Sequence, residues 1–230
     1  GAKAINFKFK KYNTIGKEEI SSVTKVLKSG VLSEYLAENN KNFFGGAQVI
    51  KFEKAWSKFF KVKYSISVNS WTSGLTTAIG AIGIEPGDEI IVSPWTMTAS
   101  ATAIIHWNAI PVFVDIDPDT FCIDPKKIEE KISKNTKAII VVDIFGQSAN
   151  MKEITNIAKK NNLKVISDSA QAPTAKYFGK YAGTLANIGG FSLNCHKHIN
   201  TGEGGVLVTN DRDLAKKMRL IRNHAEVILR

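Results

Sequence analysis

Apolar residues recur along this chain in two alternating rhythms. Short continuous runs rich in Val, Ile and Ala, bounded by turn residues, predict buried strands over 64–68, 89–93, 111–115, 138–143 and 163–167. Between them the apolar period lengthens to that of a helix, predicting helices over 72–82, 96–107, 124–132 and 150–161. Gly87-Asp88 and Asp117-Pro118-Asp119 mark turns. Upstream, 16–27 is helical by period, with acids in its first turn and Gly30 just past its end. A second helix over 49–60 puts Phe52, Trp56, Phe59 and Phe60 on one face, a core stripe. Residues 31–48 carry no period and are expected as loop. Ile5, Phe7 and Phe9 alternate with polar residues, as a short strand or edge segment would. Near the end, an apolar run over 206–209 leads into a helix over 211–223 and a further apolar run over 225–230.

Strands alternating with helices, with continuous apolar strands, imply an α/β layered domain around a largely parallel sheet. No internal repeat or low-complexity linker interrupts it. With 230 residues, 43% of them hydrophobic, the chain can bury a sizeable core. No run approaches the ~18 consecutive apolar residues that a membrane span needs. The basic N-terminal stretch has no apolar segment of the secretory kind. Cys122 and Cys195 are too few for a disulfide framework, so a reducing, cytoplasmic setting is expected. The net charge of +10 would suit nucleic acid, an anionic membrane or anionic small substrates. The lysines fall in scattered pairs (10–11, 126–127, 159–160, 216–217), the pattern of a solvated surface rather than of a binding stripe. No nucleic-acid or membrane partner is expected.

Three stretches at strand ends carry the candidate chemistry, where open α/β sheets gather their ligands. The first runs from Val68 through Ser70, Trp71, Thr72 and Ser73 to Gly74 and into a helix. Its hydroxyls and free N–H groups suit either a helix cap or a phosphate. In the second, the strand over 163–167 ends in Asp168, with Gln171 one turn on. This carboxylate is a cap or the partner of a protonated ring nitrogen; a metal role is not expected, because no second ligand sits at the right spacing. The third is the loop 189–205, GGFSLNCHKHINTGEGG, with Lys197 at its centre. A wet surface lysine needs no such framing. A lysine, a carboxylate and an anion cup together are the three parts that pyridoxal 5′-phosphate requires. Trp95 could give the ring an aromatic face or belong to the core.

Longer motifs carry a resemblance. IEPGDEIIVSPWTMTASATAI at 84–104, AIPVFVDIDPDTFCIDPKKIEE at 109–130, FGQSANMKEI at 145–154, SDSAQAPTA at 167–175 and GGFSLNCHKHINTGEGGVLVT at 189–209 resemble the DegT/StrS family of sugar aminotransferases. The resemblance spans about 17–230. It implies a PLP-transferase-like large domain, a three-layer α/β/α arrangement with a mostly parallel sheet. The expected division is an N-terminal helix and loop over 1–48 and a cofactor domain over 49–230, without the family's small C-terminal domain.

The resemblance also implies roles. Lys197 would anchor pyridoxal 5′-phosphate and act with Asp168 in catalysis. Asp168 would pair with the pyridine nitrogen, Gln171 would meet the ring hydroxyl and Trp95 would stack on the ring. Thr72, Ser73 and Ser192 would hold the phosphate. The implied reaction moves an amino group, from a donor such as glutamate, onto a nucleotide-diphosphate keto sugar, in a homodimer. A lysine at 197, where some relatives have histidine, points to transamination. A truncated, non-catalytic protein that binds pyridoxal 5′-phosphate or serves in interactions, keeping the scaffold without the full site, is the alternative. Trp71 departs from the family pattern, since most members have glycine there, and so do Ser169 and Asn150.

Overall fold

The structure, a computed structural model, describes residues 7–8, 13–36 and 38–225. Ile5, Phe9, the lysine pair 10–11 and the apolar run beyond 225 lie outside the described residues. The chain divides into two compact units, 1–34 and 35–230.

The first unit holds helix α1, Lys17–Ser29. The Gly16 N–H donates to the Glu19 carboxylate at 2.7 Å, so an acid in the first turn satisfies a backbone group that the helix leaves open. Gly30, at φ 71°, closes the helix in the left-handed region, which glycine enters without a Cβ penalty.

The second unit opens with a short 3₁₀ turn, Lys41–Phe44, inside the stretch expected as loop. It continues α2 (Ala47–Phe60), β1 (Tyr64–Val68), α3 (Trp71–Ala81), β2 (Glu89–Val92), α4 (Ala99–Ile105) and β3 (Ile110–Phe113). Then come β4 (Thr136–Val142), α5 (Met151–Lys160), β5 (Lys164–Asp168), β6 (Lys176–Tyr177), β7 (Lys180–Tyr181), β8 (Ile188–Ser192), β9 (Gly205–Thr209) and α6 (Arg212–Arg222). Seven strands form one sheet in the order β1-β9-β8-β5-β4-β2-β3. Strand β9 runs antiparallel to both its neighbours, and the remaining pairings are parallel.

Successive side chains of β9 show the layering. Val206 and Val208 join Trp56, Phe60 and Phe191 in one apolar cluster, whereas Leu207 joins the larger cluster that holds Leu75, Ala78 and Ile79 of α3. A strand sends alternate side chains to opposite faces, so α2 covers one face and α3 the other. The aromatic stripe on α2 is core at Trp56 and Phe60, but Phe59 is 54% exposed and stacks on Tyr181 at 5.6 Å.

Local departures from the sequence pattern have local causes. The helix expected over 96–107 starts at Ala99, after a turn in which Thr96 and Ser100 share a hydroxyl hydrogen bond of 2.9 Å. In place of a helix over 124–132 there are two 3₁₀ turns, Pro125–Lys127 and Glu129–Lys131. The hairpin of β6 and β7 has no expectation behind it: its turn places Phe178 (φ 45°) and Gly179 (φ 79°) both in the left-handed region, and Phe at such a position gives no turn signal.

The parallel pairing of β5 with β8, and two successive antiparallel pairings through β9, bring the carboxyl ends of β1, β5 and β8 to one edge of the sheet. Asp168 sits beside Gly190, while Val68 and Ser192 both pair with Gly205. Gly205 is required there. A Cβ on it would lie 2.7 Å from the Trp71 nitrogen and 2.7 Å from the Ser70 carbonyl carbon. Its bareness lets the start of α3 settle against β9.

Candidate active site

Lys197 stands in the loop that leaves β8. That loop is pinned by its own backbone: Leu193 N–H donates to Gly204 O, Cys195 N–H to Gly202 O and Thr201 N–H to Leu193 O, at 2.8–2.9 Å. Asn194 fixes the near side, its amide donating to Glu203 Oε1 at 2.7 Å and its side-chain oxygen accepting the His196 N–H at 3.1 Å. The lysine is half-buried and lines a cavity of about 370 Å³. Asp168, Gln171, Thr72 and Ser192 line the same cavity. Pockets that hold small ligands begin at about 300 Å³.

Asp168 ends β5 and is only 5% exposed. Oδ1 accepts the Trp71 Nε1–H at 2.6 Å and the Ala170 N–H at 3.2 Å, and Oδ2 accepts the Ser100 hydroxyl at 2.9 Å. Burial pushes its pKa above the usual carboxylate value; the three donors and the Lys197 charge oppose that shift. A hydrogen bond to a charged group contributes about 1.5–3 kcal/mol, so the donor set works against the desolvation of a charge in this interior. Oδ2 retains acceptor capacity, which a ring N–H could use.

A second buried acid lies behind it. Asp143 accepts the Ala149 N–H at 3.0 Å and the hydroxyls of Ser167 and Ser169, and burial again raises its pKa. Ser169 therefore ties the Asp168 turn to the end of β4. Gln171 Oε1 accepts the Phe145 N–H at 2.9 Å, which holds the amide at the cavity with its NH₂ still able to donate.

At the start of α3 the cap is Ser70, whose Oγ accepts the Ser73 N–H at 3.1 Å. Ser73 Oγ turns back to Ser70 Oγ at 3.0 Å. It lines a different and larger cavity of about 810 Å³, together with Arg222 and His106. Thr72, exposed, lines both cavities. Trp95 is half-exposed, with its ring centroid 6.0 Å from that of Phe121. Its neighbours Thr96 and Met97 line the smaller cavity, and Trp95 is not among the lining residues. Five of the seven candidate residues thus share one cavity, and Trp95 and Ser73 stand apart from it.

The sequence left Ser100 and the hydrogen-bonding part of Trp71 unassigned. Ser100 offers no motif, because only the packing of α4 brings it to β5. Trp71 did carry a signal, a large residue where the family pattern has glycine. Among the described residues no cluster of His, Cys, Asp or Glu could hold a metal ion, and no helix is long and apolar enough to cross a membrane.

The donor set suits pyridoxal 5′-phosphate. It offers a primary amine, a buried carboxylate with a spare acceptor site, an amide donor, and hydroxyls at a helix start, around one cavity of suitable volume. Comparison with known proteins points the same way. The family model for the DegT/DnrJ/EryC1/StrS aminotransferase family matches residues 13–228. The spore coat polysaccharide biosynthesis protein SpsC of Bacillus subtilis is 41% identical over 210 residues, 91% of this chain and 51% of that protein. GDP-perosamine synthase of Caulobacter vibrioides is 46% identical over 177 residues, 77% of this chain and 48% of that enzyme. NtdA of Bacillus subtilis, solved with bound cofactor PMP, superposes with a TM-score of 0.76 at 32% identity, covering 93% of this chain and 48% of that one. The chain spans about half the length of the curated relatives that it matches.

Proposed function

We propose, on the premise that the chain belongs to the DegT/DnrJ/EryC1/StrS aminotransferase family, that it carries the pyridoxal 5′-phosphate site of a sugar aminotransferase. The enzyme moves an amino group from a donor such as glutamate onto a nucleotide-diphosphate keto sugar. The observation that supports this most is the shared cavity of Lys197 and Asp168. GDP-perosamine synthase among the relatives supports a nucleotide-linked sugar, and the role of SpsC supports a product for polysaccharide. The working form in this proposal is a cytoplasmic homodimer.

When bound, the cofactor supplies an electron sink for the carbon that loses or gains a proton during amino transfer. The chain's own residues supply the rest. Lys197 would anchor the cofactor through Nζ; once the substrate amine takes its place there, the freed Nζ, on a loop pinned at both ends, would take a proton from the substrate carbon and return one. Asp168, whose charge Trp71, Ser100, the Ala170 N–H and the lysine favour against burial, would pair with the ring nitrogen and hold its proton. Thr72 and Ser192 offer hydroxyls to the phosphate, and Gln171 offers its NH₂ to the ring oxygen. Ser73 joins them when its hydroxyl leaves Ser70. Trp95 covers the ring when its side chain swings from Phe121 toward the mouth that Thr96 and Met97 line.

The test is spectroscopic. Protein mixed with pyridoxal phosphate should develop a visible absorption band, and glutamate should discharge it as the pyridoxamine form accumulates. Lys197→Ala should show no such band. A wild-type protein without the band contradicts the proposal, and nucleotide-linked 4-keto and 3-keto sugars then resolve the acceptor.

A further inference from the structure

Trp71 begins α3, yet its polar edge serves β5. The indole is 5% exposed, and its Nε1–H meets Asp168 Oδ1 at 2.6 Å. The space around it is reserved by two glycines on different elements. A Cβ on Gly74 would lie 2.5 Å from Trp71 Cε3, and one on Gly190 would lie 1.9 Å from Cζ3 and 2.1 Å from Cη2. Gly74 belongs to the same helix as Trp71, while Gly190 is the β8 residue paired with Asp168 itself. A tryptophan that merely filled the core would need the slot but not the carboxylate. Here the apolar edge of the ring is fixed by the slot, which leaves the N–H a single direction.

The consequence falls on Asp168. With Trp71 and Ala170 both donating to Oδ1, that oxygen is committed, and Oδ2, which accepts only the Ser100 hydroxyl, keeps capacity for one more donor. We propose that Trp71 is a positioning residue: its indole N–H, seated between Gly74 and Gly190, fixes the Asp168 carboxylate so that one oxygen remains for the cofactor's ring nitrogen. The inference rests on the reading of Asp168 as that nitrogen's partner, and it adds a device that the chain builds from three of its own residues.

The contact can be read without turnover. In ¹⁵N-labelled protein, the indole N–H signal of Trp71 is the one that disappears in Trp71→Phe. Asp168→Asn should move that signal upfield while the other indole signals stay in place; a Trp71 signal that does not move overturns the inference. The second arm is pyridoxal phosphate affinity. Trp71→Phe keeps an aromatic ring but loses the donor, and Gly74→Ala keeps the donor but pushes the ring from its seat. Both should weaken binding by about tenfold, the scale of one lost hydrogen bond to a charged group. Wild-type binding with unchanged affinity in both variants overturns the positioning role alone, whereas a wild type that binds no pyridoxal phosphate overturns the reading of Asp168 beneath it. Should Trp71→Phe fail to fold, an Asp168→Asn variant that moves none of the indole signals overturns the inference, and Gly74→Ala, a favourable helix residue, carries the affinity comparison.

Discussion

Arg222 Nη1 lies 2.7 Å from Glu53 Oε1, with both side chains 9% exposed, and this buried ion pair ties the last turn of α6 to the middle of α2. The same carboxylate oxygen accepts the Ser67 N–H at 2.8 Å and the Ser67 hydroxyl at 3.0 Å. Arg222 Nε and Nη2 have no hydrogen-bond partner among the described residues; Nη1 also donates to the Ser67 carbonyl at 3.2 Å and the guanidinium lies 4.8 Å from the Tyr35 ring centroid, but Glu53 is the anion paired with it. Glu53→Ala should cost about 3–5 kcal/mol in urea unfolding, because it strands a cation in the interior. A Glu53→Met/Arg222→Met pair should recover most of that loss, and a double variant no more stable than the single one would contradict this account.

Gly205 offers a second stability test, aimed at the site. Its missing side chain makes room for the Ser70–Trp71 peptide, and backbone cannot move aside as a flexible side chain can. Gly205→Ala should cost about 1–3 kcal/mol and also weaken pyridoxal phosphate binding, because the start of α3 would shift. Gly179→Ala is a control for crowding: a Cβ there meets nothing within 4 Å, although the φ of 79° adds strain of its own. Cofactor affinity should fall in the first variant and hold in the second.

The buried acids set the pH dependence. Burial raises the folded-state pKa of Asp168 and of Asp143 above the ordinary value of 3.8. For an acid shifted upward, the contribution to stability is whole below the unfolded value. It declines as pH climbs through the folded value and is not regained above it. Asp168→Asn removes this penalty. The variant should gain melting temperature over the wild type as pH goes from about 4.5 to 7.5 while losing cofactor affinity. A wild type that pulls ahead of Asp168→Asn with rising pH would contradict the sign.

The two thiols should differ in reactivity. Cys122 is buried, and burial pushes its pKa up to about 11, so little thiolate exists at neutral pH. Cys195 is exposed, two residues before Lys197. Iodoacetamide on the native protein should label Cys195 and spare Cys122, as read by peptide mass spectrometry. Equal labelling of both would mean that the β3–β4 connection opens readily.

Much of the fold was legible because buried parallel strands write continuous apolar runs. The parallel strands Glu89–Val92 and Lys164–Asp168 follow their patterns within a residue. Less was legible where side-chain chemistry decides: the turn before α4, held by Thr96 and Ser100, and the hairpin turn at Phe178. In the candidate site, strand ends and side-chain chemistry mark Lys197, Asp168, Gln171, Thr72, Ser73 and Trp95, and Ser192 comes from the family resemblance alone. Ser73 contacts Ser70, Trp95 contacts Phe121, and both lie outside the cavity of the other five. The side-chain donors to Asp168 come from residues 97 and 68 positions upstream, a distance that no local pattern spans.

The central claim is that one lysine anchors the cofactor opposite Asp168. Borohydride reduction of protein incubated with stoichiometric pyridoxal phosphate, followed by peptide mass mapping, tests it most directly. The account predicts a single modified site at Lys197, lost in Lys197→Ala and weakened in Asp168→Asn. Modification spread over the surface lysines, or fixed on a lysine outside the loop between β8 and β9, would contradict it.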